Sequence, residues 1–467
     1  MVILYFSILI IYSSLALFWP KQSKIVNLLG TLFLSIISLT MVMNLTKGMG
    51  LFWQGIDPLL IDDSLSMIGK VSMLAGSLFF FFMNVCQNKL DQIQIYPASS
   101  IGNFILLFSS GAVLFDSLIM FYFFYELVWL LLLFLLGLLF YQEKGSLYRV
   151  LINVMFGTTL INIFCILSLS SWIATKQPFF NLSAQMLMDL TNVKSSEVDI
   201  DFLVYILLGV LILKTLFPAF YAAQLESNQK KLQSYIFNIQ VAVNTILLVY
   251  VLTYFFQNHL NNIFLHFTWI HVALPWLLIF LGGLMIIQIK TNDNFFKSML
   301  FIYNVIFISA IILITPINTK MVYLFTAHFL VLFAIINVIN EILKNRFGSQ
   351  PLWAPIGLKK TMPKFFLLLT IWVVVVCGFP WSGGNLVKMF YISKLAGQSL
   401  LAVYFLGIFV FMHLLLFIPF ILCAKRNKNE NDKQVIEKVS DINKYEFGIL
   451  TLLITAELLL GVGGQHF

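Results

Sequence analysis

The chain has 467 residues, of which 60% are hydrophobic and only 10% charged, with a mean hydropathy of +0.94. A soluble domain is about 45–50% apolar and about 25% charged, so this composition excludes a soluble enzyme, a nucleic-acid-binding module and a disordered chain, and it requires a bilayer as solvent. The formal net charge of +8 then reports membrane topology and not a polyanionic partner.

Apolar stretches of about 17 residues or more predict fourteen spans, near 2–19, 25–45, 66–87, 95–115, 117–141, 148–171, 200–222, 233–257, 271–290, 297–316, 321–343, 364–396, 399–423 and 446–463. The run from Val2 to Trp19 is long enough to cross and has no small-residue cleavage site, which reads as a retained helix and not a removed signal. The run over 364–396 is too long for one plain span. It carries Gly378, Pro380, Gly383 and Gly384 at its middle, which predicts a broken helix. The expected fold class is an all-α polytopic membrane protein of about fourteen helices.

Of the 28 basic residues, 20 fall in the odd-numbered loops and four, Lys47, Lys176, Lys194 and Lys320, in the even-numbered ones. Positive charge stays on the side from which insertion starts, so both termini are predicted to face the periplasm or its equivalent. Cysteines 86, 165, 377 and 423 stand singly in apolar runs, without the spacing of a metal site. GVGG near the C-terminus and SGG at 382–384 lack the strand and helix context of a phosphate loop. No cofactor and no nucleic acid is expected.

Charge at membrane depth is the informative signal, since an ionised group at a helix centre costs at least about 2.5–3.5 kcal/mol. Glu126 lies ten residues after Asp116 in DSLIMFYFFYELVW, about 15 Å into a core about 30 Å thick. Lys214 precedes Pro218 by four residues. That proline cannot donate to the carbonyl of residue 214, so the helix is predicted to kink or break beside the lysine, as happens where backbone is buried in protein or lines a hydrated cavity. Lys388 follows the second predicted break. Burial and a nearby carboxylate pull an ammonium in opposite directions, so a Glu126–Lys214 pair could switch between charged and neutral forms. His328, within LFTAHFLVL, is a candidate relay because imidazole titrates near neutrality. Glu457 and His413 rank lower, each a lone polar group on an apolar helix. The plain alternatives are a structural ion pair for Glu126 and Lys214, a headgroup-seeking lysine for Lys388 and a packing histidine for His328.

Two broken helices in corresponding positions of two five-helix blocks point to inverted repeats with an ion pathway at the interruptions. The expected organisation is an N-terminal three-helix segment over 1–94, a first five-helix repeat over 95–258, a second inverted repeat over 259–423, and a basic loop with a C-terminal helix over 424–467.

Five stretches resemble one family, the antiporter-like membrane subunits shared by respiratory NADH:quinone oxidoreductase (complex I) and the Mrp cation/proton antiporters. LLIDDSLSMIGKV resembles the family's entry to its third helix. AVLFDSLIMFYFFYELVWL and LLGVLILKTLFPAFYAAQLES resemble its fifth helix and broken seventh helix, which puts Glu126 and Lys214 on the family's glutamate and lysine. DNFFKSMLFIYN resembles the start of its tenth helix. CGFPWSGGNLVKMF resembles its broken twelfth helix, which puts Lys388 on a further lysine.

The chain departs from the family pattern at several points. The eighth-helix lysine falls near Asn244 or Thr245, a tenth-helix histidine near Phe307, and the lysine that often follows the helix-eleven histidine near Leu332. The segment after the seventh helix reads Phe220, Tyr221, Ala222, Ala223 and Gln224. The middle of the family's hydrophilic axis is therefore thinned, and waters held by Asn244, Thr245, Asn304 and His328 would have to bridge it.

The resemblance implies a subunit that moves protons, or sodium, through a bacterial inner membrane or the mitochondrial inner membrane. It would do no redox chemistry itself, and its energy would come from partner subunits of a multisubunit complex. Two other readings stay open. One is the membrane partner of an inorganic-carbon uptake complex with a soluble zinc protein, and the other is a non-conducting structural subunit.

Overall fold

The computed structural model describes residues 2–18, 23–42, 66–86, 92–113, 117–140, 146–174, 203, 206–216, 230–255, 280, 292–314, 319–347, 358–377, 379, 382–386, 388–389 and 440–464. The span expected near 399–423 and, apart from Phe280, that near 271–290, together with Lys47, Pro218, Gly378, Pro380 and His413, lie outside these residues. The described residues form helices, as an all-α membrane protein requires, because only hydrogen-bonded helix satisfies every peptide group without water.

The chain divides into two compact units, Met1–Thr268 with Thr315–Ile317, and Trp269–Ile314 with Asn318–Phe467. The first contains α1 (Val2–Phe18), α2 (Ser23–Val42), α3 (Ser66–Cys86), α4 (Gln92–Ala112), α5 (Leu118–Phe140), α6 (Ser146–Ala174), α7 (Ile206–Leu216) and α8 (Lys230–Tyr254). The second contains α9 (Asn292–Ile314), α10 (Thr319–Phe347), α11 (Pro363–Cys377) and α12 (Lys444–Gly464). Among the described residues, five segments are long and apolar enough to cross a membrane: Ile25–Val42, Leu118–Gly137, Tyr235–Tyr254, Leu324–Lys344 and Lys444–Val462.

In the first unit α8 is the central post, packed on α3, α4 and α5, and every residue from Tyr235 to Tyr254 is buried. By contrast α6 exposes Phe156, Leu160, Ile163, Phe164 and Leu167, an apolar face of the kind a bilayer solvates. Since lipid is as apolar as leucine, helices in membranes associate through close packing and hydrogen bonds, and both are present. Tyr5 on α1 meets Ser110 on α4 at 3.2 Å. Ser38 on α2 meets Ser77 on α3 at 3.0 Å, and the Asn103 amide on α4 donates to Asn27 on α2 at 2.8 Å. Hydroxyls not used between helices turn back on their own, as Thr31 does to Asn27 O at 2.7 Å and Ser35 to Thr31 O at 2.8 Å. A Cβ on Gly30 would stand 2.5 Å from Cγ of Tyr12, so α1 and α2 approach each other only because that position carries no side chain.

The second unit pairs α9 with α10 and stacks α12 on both α10 and α11. Its helix ends are tied by polar side chains. Asn443 and Glu446 form a capping box at the start of α12, each carboxamide or carboxylate oxygen taking the other's backbone N–H at 2.9 Å. Asp441 accepts from the N–H groups of Lys364 and Phe365 at 2.9 and 3.3 Å, supplying the negative charge that the N-terminus of α11 favours. Arg346 at the end of α10 holds Glu446 through both terminal nitrogens, at 3.1 and 2.5 Å, and donates to Ser440 O at 3.0 Å.

Gly30→Leu is expected to destabilise the purified protein by about 1–3 kcal/mol through overpacking against Tyr12, read as a lowered thermal midpoint, whereas Gly30→Ala costs less because Tyr12 has less to yield to.

Candidate functional site

The first unit brings Glu126 and Lys214 together. Glu126 lies on α5, eight residues after its start at Leu118 and so roughly 12 Å along the helix axis. The angle at which α5 presents it is set by an aromatic seam with α8: Phe121 stacks on Tyr125 at 5.7 Å and on Tyr250 at 5.9 Å, and Tyr250 stacks on Tyr254 at 5.2 Å. Lys214 reaches the same point from the C-terminal end of α7 and is buried, with 1% of its surface exposed.

The Lys214 ammonium donates to Glu126 Oε1 at 2.6 Å, to Glu126 Oε2 at 2.7 Å and to Thr159 Oγ1 at 2.9 Å. Its three protons thus have acceptors. Thr159, on α6, in turn donates to Glu126 Oε2 at 2.9 Å. The ammonium also lies 5.5 and 5.7 Å from the ring centroids of Tyr125 and Trp129, where aromatic faces attract a cation. The arrangement is a closed triad from three helices in which the lysine is enclosed and about a fifth of the glutamate side chain (21%) stays accessible. Thr159 has no place among the sequence candidates; its only signal is a hydroxyl pair, Thr158 and Thr159, in the apolar run of α6.

Asn244 and Thr245 are both fully interior on α8. Thr245 donates to Val241 O. Neither atom of the Asn244 amide meets a hydrogen-bond partner among the described residues, and the same holds for Gln240 one turn earlier and for Asn162 on α6. These amides are not bonded to Lys214; what they offer is buried hydrogen-bonding capacity, which in folded proteins is met by ordered water.

In the second unit α11 stops at Cys377 and helix resumes at Gly383. Phe379 donates to Val374 O at 3.2 Å and Ser382 to Phe379 O at 3.0 Å across the interruption. Ser382 then caps the new turn, accepting from Leu386 N at 3.1 Å through its carbonyl and from Asn385 N at 3.1 Å through its hydroxyl. Lys388 is buried and donates to Val376 O at 3.0 Å, bringing its charge to the negative end of α11. His328 on α10 has Nδ1 2.6 Å from Oε1 of Glu457 on α12, a carboxylate with none of its surface exposed. Among the described residues no group of three or more His, Cys, Asp or Glu side chains is placed to hold a metal ion.

Solved structures identify this arrangement of helices. A chain of respiratory complex I from Thermus thermophilus superposes with a TM-score of 0.71 at 16% identity, over 100% of this chain and 96% of its own. The chain has the fold of the antiporter-like membrane subunits. A chain of the Mrp complex from a Dietzia species gives 0.69 at 14% identity, over 99% and 95% of the two chains. A chain of an archaeal membrane-bound sulfane sulfur reductase, a respiratory membrane complex, gives 0.61 at 16%, over 98% and 75%. No family model and no curated protein matches by sequence. The fold is therefore shared at 14–16% identity.

Removing one member of a buried ion pair strands the other, typically at about 3–5 kcal/mol. Glu126→Gln is therefore expected to lower the thermal midpoint of the detergent-purified protein, and the double variant Glu126→Gln/Lys214→Met is expected to melt closer to wild type than Glu126→Gln alone. Equal, additive losses would mean that the two side chains are not energetically coupled.

Proposed function

We propose that this chain is a proton-translocating membrane subunit of a multisubunit complex, with Glu126 and Lys214 as the switching pair of the first unit, His328 as a relay and Lys388 as the terminal or coupling lysine of the second. The observation that carries the reading is the buried Glu126–Lys214–Thr159 triad. It holds an acid and an amine in the interior of the first unit, locked to each other while about a fifth of the glutamate side chain stays accessible. Such a pair is neutral as a whole while closed. Opened, each partner needs a new one, and the protons of water and of neighbouring groups supply it.

Several features favour protons over sodium. Both Glu126 oxygens are engaged by the Lys214 ammonium, whereas a hard cation needs such oxygens free as ligands. The triad also consists of groups that exchange protons. In the same fold, the neighbours are described as parts of respiratory complex I, of an Mrp complex and of an archaeal respiratory complex. That context supports partner subunits as the energy source and a location in an energy-conserving membrane. The asymmetry of basic loops supports both termini on the outer side, and the paired interruptions support two inverted five-helix repeats in a fourteen-helix chain. With Asn244 in place of an amine, the middle of the path runs through water held by Asn244, Gln240 and Asn162.

The test is proton flux in proteoliposomes containing the purified complex. Lys214→Ala and Glu126→Gln are expected to reduce flux to the passive leak while the complex still assembles, and Lys47→Ala, in a loop predicted to lie outside, to leave it unchanged. Wild-type flux in both site variants would sink the reading. Identification of the proteins that co-purify names the complex.

A further inference from the structure

The second unit contains a buried acid that the triad does not explain. Glu457 belongs to α12, an otherwise apolar helix whose other acid, Glu446, sits in the first turn. From that end Glu457 lies roughly 20 Å along the axis, wholly enclosed by packing. Three chain segments meet on it. Its Oε1 accepts the Gly384 N–H at 3.1 Å and lies 2.6 Å from Nδ1 of His328. Its Oε2 is buried with no hydrogen-bond partner among the described residues.

The backbone is shaped around this contact. A Cβ on Gly383 would stand 2.7 Å from Glu457 Oε1 and 2.9 Å from His328 Nδ1, so any side chain there would force the acid and the imidazole apart. A Cβ on Gly384 would stand 3.0 Å from Val376 O, the carbonyl that receives the Lys388 ammonium. The two glycines thus let the interrupted helix pass between a carboxylate–imidazole pair on one side and a lysine–carbonyl contact on the other. One Glu457 oxygen is tied and the other is left in the interior with capacity to spare.

We propose that Glu457 and His328 form a second proton-holding pair, with Glu457 Oε2 as the atom that receives the proton. A proton taken from a hydronium ion onto Oε2, with one given up to water by the imidazolium, forms one O–H bond and breaks one N–H bond on the pair, while the hydronium ion loses an O–H bond and the accepting water gains one. The charge of the pair is unchanged. The pair rests on the proton-translocation reading above, and it supplies in the second unit a titratable acid that the thinned pattern of basic residues omits.

Glu457→Gln tests it, because the amide oxygen still accepts from Gly384 N–H while the titratable acid is gone. In proteoliposomes of the intact complex, Glu457→Gln and His328→Gln are expected to assemble, with a lowered thermal midpoint, yet lose proton flux, with Glu457→Asp retaining a measurable share. Infrared difference spectra taken across a pH step are expected to show a protonated-carboxyl band that disappears in Glu457→Gln. Wild-type flux in an assembled Glu457→Gln, or an unchanged carboxyl band, overturns the pair as a proton carrier and leaves it a structural tie. If Glu457→Gln does not assemble, the carboxyl band of Glu457→Asp decides: a shifted band supports the pair and an unchanged band overturns it. Normal flux in Lys214→Ala together with lost flux in Glu457→Gln removes the switching role of the triad and not that of this pair. Lost flux in Lys214→Ala with normal flux in Glu457→Gln removes only the pair.

Discussion

A charge placed in hydrocarbon must bring its counter-charge or a dipole with it, and the interior of this protein is organised around that demand. Glu126 and Lys214 meet with every ammonium proton accepted. Lys388 is turned to a carbonyl at the end of α11, and Glu457 to a backbone amide and an imidazole. An unpaired charge costs at least about 2.5–3.5 kcal/mol at the centre of a helix, and a pair broken in the interior about 3–5 kcal/mol. These sums are large enough to hold the contacts closed at rest.

The remaining polar groups fall into two populations. Serines and threonines of α2 bond to their own helix or across to α3, and the asparagines at 27, 84 and 103 stitch α2, α3 and α4 together. They act as fasteners and leave little over. The amides of Asn162, Gln240 and Asn244 are different, since they are interior and meet no protein partner among the described residues. On α8, whose every residue from Tyr235 to Tyr254 is enclosed, two such amides one turn apart create the polar surroundings in which an interior water is more stable than a void.

Much of this was legible from the chain because a bilayer punishes polar residues so heavily that each one left inside is conspicuous. Glu126 and Lys214 could be singled out, and paired, from depth and a nearby proline alone. Thr159 could not, since a hydroxyl can satisfy itself on its own helix and so carries no visible penalty in an apolar run. Glu457 was legible as a charge but not as a partner: its imidazole is more than a hundred residues away in sequence, and only the packing of α12 on α10 brings them together. The role of Gly383 was likewise half visible. The sequence marks it as part of a helix interruption, while its closeness to two titratable side chains belongs to tertiary structure.

The ties at one end of the second unit have a mechanical side. Arg346, Asp441, Asn443 and Glu446 bind the end of α10 and the starts of α11 and α12 to one another. Glu457 lies about 16 Å from Glu446 along α12. A helix anchored at that end fixes the height and the rotation at which its acid arrives, so the capping cluster sets the register in which Glu457 meets His328.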